Sequence, residues 1–286
     1  MRTVVVSAVQ MSCTWDLQAN LAKAERMVRE AAAAGGEIIL LQELFETPYF
    51  CQEKTPEYFR YATLPEQNQA IARFRDVARE LQVVLPISFY EQSPTGNYNS
   101  VALIDADGTV LGIYRKTHIP HGPGYEERFY FQNGDSGFKV WETRYARIGV
   151  GICWDQWFSE AARCMSLLGA ELLLYPTAIG SEPVQTAIDS KNHWQLVMQG
   201  HAAANITPVI AANRVGVEKI GNSELTFYGS SFITNEIGEK VAEADRSSET
   251  VLITEFDLEK IKEYRQFWGI HEGRRPEMYG EIVAKI

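Results

Sequence analysis

What the 286-residue chain lacks narrows its options first. It has four cysteines, Cys13, Cys51, Cys153 and Cys164, and no CxxC pair among them. Together with histidines that show no ligand spacing, this argues against a zinc site, and no metal or organic cofactor is expected. No stretch approaches the roughly 18 apolar residues needed to span a bilayer, so no membrane partner is expected. Basic residues are the minority, 27 against 37 acidic, leaving a net charge of −10. Nucleic acid, bound through an excess of Lys and Arg, is therefore not an expected partner. A small cationic substrate is compatible with that charge. The start, Met1 to Ser7, enters a strand-like run without a signal peptide's apolar region, which predicts a cytoplasmic protein with reduced thiols. Pro/Ser linkers and solenoid repeats are also missing, and one domain over residues 1–286 is expected.

Hydrophobic residues make up 45% and charged residues 22%, as in a soluble enzyme. Apolar runs predict strands at Val4–Val9, Glu37–Gln42, Val83–Tyr90, Tyr98–Asp105, Val110–Arg115, Arg147–Ile152, Glu171–Tyr175, Pro208–Asn213 and Val251–Asp257. A hairpin is expected between Phe227–Thr234 and Glu239–Ala242. Helical spacing appears over Leu17–Ala34, Gln67–Leu81, Asp189–Asn205, and from an N-cap at Ser159 to Leu168. The tail Ile261–Ile286 reads as irregular and charged. Alternating strands and helices with hairpins mixed in predict an α/β chain, and two sheets covered by helices fit the count.

Three apolar runs end in chemically useful residues. Glu37–Gln42 runs into Glu43, Val110–Arg115 into Lys116, and Arg147–Ile152 into Cys153. Sites in α/β sheets gather at the carboxyl ends of strands. A free thiol is only a few per cent ionised at neutral pH, so Cys153 needs a base. Glu43 can supply one, and a helix opening after Cys153 would favour the thiolate. Lys116 and the backbone N–H of Trp154 can hold a tetrahedral oxyanion. The three together make an acyl-transfer site without a catalytic histidine. His118 and His121 are expected to shape the lysine loop, and His201 to be a packed, hydrogen-bonded histidine.

The stretches around these residues carry a resemblance. Glu37 to Phe45, Tyr114 to Pro120, and Gly149 to Phe158 resemble the carbon–nitrogen hydrolase (nitrilase) superfamily. The resemblance implies a four-layer α-β-β-α sandwich that pairs into dimers or larger homo-oligomers, with a C-terminal extension of about 258–286 in the contacts. It implies a Glu–Lys–Cys triad at Glu43, Lys116 and Cys153, with a second glutamate at Glu127 rather than the adjacent Glu126. Further stretches, including His121 to Phe131, Pro176 to Pro183 and Trp268 to Pro276, resemble the branch that removes carbamoyl groups from amines. Many relatives carry Arg where this chain has Trp157. The implied substrate is a small cationic carbamoyl-amine, whose ammonium needs a carboxylate or aromatic faces. Glu182 is the first candidate for that end, followed by Asp155, Tyr130, Trp154 and Trp157. A carboxylate-bearing N-carbamoyl amino acid would instead call on Arg128 or Arg214. A catalytically silent assembly protein would be expected to have lost part of the triad.

Overall fold

The computed structural model describes residues 2–284. The end of the predicted tail, Lys285 and Ile286, lies outside the described residues, as does Met1. The first half runs β1 (Thr3–Gln10), α1 (Leu17–Ala33), β2 (Ile38–Leu40), α2 (Gln69–Leu81), β3 (Leu85–Ser93), β4 (Gly96–Ile104) and β5 (Val110–Arg115). A short α3 (Glu127–Tyr130) leads to β6 (Val140–Glu142), β7 (Arg147–Val150), α4 (Ser159–Leu167), β8 (Leu172–Pro176), α5 (Lys191–Asn205) and β9 (Val209–Ala212). Then come β10 (Val215–Ile220), β11 (Ser223–Tyr228), β12 (Phe232–Thr234), β13 (Lys240–Glu243), β14 (Thr250–Asp257), α6 (Leu258–Trp268) and α7 (Gly280–Val283).

Two sheets face each other. One is ordered β13-β12-β9-β8-β7-β6. The other joins β14-β1-β2 to β3-β4-β5 through a parallel bridge between Ile38 and Val84. Inward side chains of both, among them Val6, Leu40, Val101, Val150, Leu174 and Ile210, form the central core. The outer face of the sheet β14-β1-β2/β3-β4-β5 is covered by α1 and α2, through Leu21, Met27, Val28 and Phe74. The outer face of the β13-β12-β9-β8-β7-β6 sheet is covered by α4 and α5, through Met165, Trp194 and Met198. This is the α-β-β-α sandwich. Its layers follow from pattern: α1 buries Leu21, Ala24, Val28 and Ala31 at helical spacing, and Asp16 caps it by accepting from the Ala19 N–H at 3.0 Å. Each large apolar side chain fully buried this way contributes about 1.5–3 kcal/mol.

Several expected elements differ. Ser159 is the first helical residue of α4, not its cap; the chain arrives from a tight 3-10 turn over Cys153–Trp157, which puts Phe158 at the cap position. The expected strand Phe227–Thr234 is broken at Gly229 and Ser230, both at positive φ (53° and 57°). Its first part ends a β10–β11 ribbon, and only Phe232–Thr234 pairs with β13. The tail is not irregular from Ile261. Asp257 caps α6, Leu258 and Ile261 join the central core, and Gly269 ends the helix at φ +57°. Among the described residues no helix is long and apolar enough to cross a membrane.

Candidate active site

Glu43, Lys116 and Cys153 come together where the ends of β2, β5 and β7 converge between the two sheets. Glu43 lies three residues past the end of β2, and its N–H reaches the Thr177 carbonyl beyond β8 at 3.4 Å. Lys116 extends β5 by one more bond, donating its N–H to the Asn99 carbonyl of β4 at 2.8 Å. Cys153 follows β7 after Gly151, where a Cβ would come within 2.8 Å of the Tyr175 ring, so only glycine fits. Cys153 itself sits at φ +40°, an unfavourable backbone for a side chain, as at a nucleophile elbow.

The Lys116 ammonium is fully buried between two carboxylates. It donates to Glu43 Oε1 at 2.7 Å and to both oxygens of Glu127 at 2.8 and 2.7 Å. Burial alone would pull the ammonium down, but Glu127 and then Glu43 outweigh it and hold it above the ordinary lysine range. Glu127 is the second carboxylate; Glu126 turns away to Lys54 and His121 at 3.3 and 3.1 Å. Burial pushes the Glu127 carboxyl up, with Lys116 opposing and Glu43 adding to the rise. Asn99 Nδ2 donates to Glu43 Oε1 at 2.7 Å, and the Tyr49 hydroxyl donates to Glu127 Oε1 at 2.6 Å. Glu43 Oε2 is left buried with no partner.

Cys153 is 6% exposed, and its thiol points toward the Ala178 carbonyl at 3.7 Å. Burial first, then the Glu43 charge, pushes that thiol well above the ordinary range, with Lys116 opposing. The expected help from a following helix is small, because only a 3-10 turn of five residues opens there. In the empty site the sulfur is therefore a thiol that needs a base. The Asp155 N–H of that turn is taken by the Ile152 carbonyl at 3.0 Å, whereas the first N–H groups of such a turn have no intrahelical acceptor.

Asp155 and Tyr130, expected near the substrate, are spent on the protein. Asp155 is fully buried and accepts from the Tyr114 hydroxyl (2.7 Å), the Ile152 N–H (2.9 Å) and the His118 N–H (3.0 Å), with His118 Nδ1 at 2.7 Å. It ties the Cys153 turn to residues two before and two after Lys116. The Tyr130 hydroxyl donates to the Glu53 carbonyl at 2.6 Å and accepts from the Thr55 N–H at 2.8 Å. His118 lies flat on Phe158, with ring centroids 3.5 Å apart. His201 bonds the Gln156 carbonyl at 2.7 Å. Trp154 is partly exposed and meets Trp157 edge-on at 6.3 Å.

Glu182 lies half-buried in the loop after β8, with no cation paired to it among the described residues. Burial raises its carboxyl. Its loop starts beside the thiol, at the Ala178 carbonyl, and Tyr125 holds it there, its hydroxyl accepting from the Gly180 N–H at 3.1 Å and donating to the Ser181 carbonyl at 3.3 Å. Asn99, Tyr49 and Tyr125 were not anticipated. The Asn99 signal was present in the sequence, as an amide inside the otherwise strand-forming run Tyr98–Asp105. Arg214 is fully buried. It pairs with Glu218 at 2.6 Å and donates to the carbonyls of Glu43, Leu44 and Thr47. Arg128 is exposed, with Nε on the Ile119 carbonyl. Arg214 is thus committed to the protein, whereas Arg128 holds only its Nε on the backbone.

A family model described as carbon-nitrogen hydrolase matches residues 5–266. An N-carbamoylputrescine amidase from Arabidopsis thaliana is 57% identical over 99% of this chain and 96% of that protein. A citrullinase from Francisella tularensis is 50% identical over 100% of both chains. The solved structure of a carbon-nitrogen hydrolase from Helicobacter pylori superposes with a TM-score of 0.92 at 35% identity, covering 99% of each chain.

Proposed function

Because the chain belongs to the carbon–nitrogen hydrolase family, we propose that it hydrolyses N-carbamoylputrescine to putrescine, carbon dioxide and ammonia. Cys153 attacks the ureido carbon, and its proton passes to the unpartnered Oε2 of Glu43. Lys116, turning one N–H from its double contact with Glu127, shares the oxyanion with the Trp154 N–H. The bond to the terminal nitrogen breaks, ammonia leaves with the Glu43 proton, and an S-carbamoyl-type thioester of the diamine remains on Cys153. Water, deprotonated by Glu43, adds to that carbon. The C–S bond breaks, Cys153 regains a proton, and the freed carbamate loses carbon dioxide to give putrescine. Glu127 keeps Lys116 charged throughout.

The observation that carries the substrate assignment is Glu182, a half-buried carboxylate with no cation partner among the described residues, in the loop whose Ala178 carbonyl meets the thiol. It suits the substrate's ammonium, with Tyr125, Tyr228 and the Trp154–Trp157 pair as aromatic surroundings.

The citrullinase relative favours one second reading. Citrulline is N-carbamoylputrescine with a carboxylate added beside its ammonium, so the reacting end is the same. That carboxylate needs a cation; Arg214 is engaged with Glu218, which leaves the exposed Arg128 as the one to turn toward it. The test is ammonia release from N-carbamoylputrescine, citrulline, N-carbamoyl-β-alanine and a simple aliphatic amide. The diamine derivative should be preferred. Preference for citrulline would select the second reading, and no release with Cys153 reduced would leave a silent protein.

Four unpaired cysteines suit a reducing compartment such as the cytoplasm. The C-terminal elements leave Phe267 81% and Trp268 57% exposed, and Ile282 and Val283 are exposed as well. Such an apolar patch supports a homo-oligomer built through the 258–286 extension, and light scattering at micromolar concentration tests it.

A further inference from the structure

On the far side of the turn that presents Glu43, a cavity of about 170 Å³ opens between the loop 44–50 and the start of α2. Leu44, which follows Glu43 and sits at φ +47°, forms part of its wall. Phe50, Tyr61 and Tyr90 supply aromatic faces, and Glu46 supplies a carboxylate. The Asn68 amide lies 3.1 and 3.3 Å from the two Glu46 oxygens, and the Ala70 N–H also reaches them. These neutral donors fix the carboxylate's orientation but do not balance its charge. No Lys, Arg or His pairs with Glu46 among the described residues. Arg60 lines the cavity, yet it donates to the Tyr61 hydroxyl at 3.0 Å and lies over that ring at 5.0 Å. The other ionisable groups on the wall are the phenols of Tyr61 and Tyr90.

A largely desolvated carboxylate without a counter-ion, walled by aromatic rings, is what a desolvated ammonium requires. The volume suits a short chain, several times the roughly 30 Å³ share of one water. We infer that this cavity is a second ammonium site, distinct from the one at Glu182, that takes a short primary alkylammonium on Glu46. It does not depend on which ureido compound is the substrate.

Burial pushes the Glu46 carboxyl up to about 7. The bound ammonium needs the ionised form, so below that value binding must expel a proton. Affinity at this site should rise roughly tenfold from pH 6 to pH 8 as the carboxylate fills out.

The probe is n-butylamine, measured by titration calorimetry. Wild-type protein should take up two equivalents, Glu182→Gln one, Glu46→Gln one, and the double variant none. The uptake that survives in Glu182→Gln should release a proton at pH 6, read from the buffer dependence of the heat. An unaltered stoichiometry and proton release in Glu46→Gln would overturn the inference. If Glu46→Gln does not fold, the Glu182→Gln protein decides alone: uptake with proton release supports the site, and no uptake removes it. Failure of the Glu182 assignment would appear separately, as two retained equivalents in Glu182→Gln.

Discussion

Replacing Lys116 by Met would leave Glu43 and Glu127 as two carboxylates in a fully buried space with no cation. The site's charge would go from −1 to −2 while three short contacts disappear. Removing one partner of a buried pair costs about 3–5 kcal/mol, since the remaining charge is uncompensated. At about 2–4 °C per kcal/mol for a domain of this size, Tm should fall by roughly 6–20 °C. The loss must depend on pH, and its sign follows from Glu127. Its carboxyl is already raised in the folded protein, and losing Lys116 raises it further. A carboxyl whose folded pKa is raised favours folding below the unfolded value, and that benefit is lost as pH rises through the folded value. The variant should therefore lie closer to wild type at pH 5 than at pH 8. Turnover should drop by a further 10²–10³-fold, on the order of one oxyanion donor. Thermal unfolding of both proteins across pH 5–8, with ammonia release measured alongside, checks this. A stability difference that stays constant with pH, or turnover within tenfold of wild type, would refute the reasoning.

Other variants test separate parts. Glu182→Gln should raise KM for N-carbamoylputrescine roughly 10–100-fold, the worth of a charged hydrogen bond, with kcat nearly unchanged; an unchanged KM removes Glu182 from the pocket. Asp155→Asn swaps an acceptor oxygen for an NH2 among donors from Tyr114, Ile152 and His118. It should cost about 1–3 kcal/mol in urea unfolding and lower kcat more than KM, and wild-type kcat would deny its hold on the Cys153 turn. Arg214→Met leaves Glu218 buried without its partner and frees the carbonyls behind Glu43. A loss of about 3–5 kcal/mol is expected by the same unfolding assay, and wild-type stability would contradict it.

The clustering of Glu43, Lys116 and Cys153 was readable because each follows a strong apolar run, and strand ends are where chains in this class of fold present side chains. The layers were readable from the spacing in α1 and α2. Short pieces escaped. β6 has three residues, too few to show a period, and β10 (Val215–Ile220) had no strand expected for it. The break at Gly229–Ser230 is a tertiary event, with the Asn213 amide donating to the Gly229 carbonyl at 2.8 Å. Helix α6 had its signals, Asp257 before it and Gly269 after it, hidden within a charged tail. Asp155 and Arg214 show the other limit. Sequence marked both as polar groups available to a ligand, whereas burial committed them to four-contact networks that hold the site's backbone.

The most direct test of the central claim is intact-mass analysis of protein mixed with N-carbamoylputrescine and quenched in acid within milliseconds. If Cys153 is the nucleophile and ammonia leaves first, a species about 114 Da heavier should accumulate, with the added mass on the Cys153 peptide. It should be absent in Cys153→Ala, which should also release no ammonia. Ammonia release that survives Cys153→Ala, or an adduct found on Cys51 instead, would contradict the account.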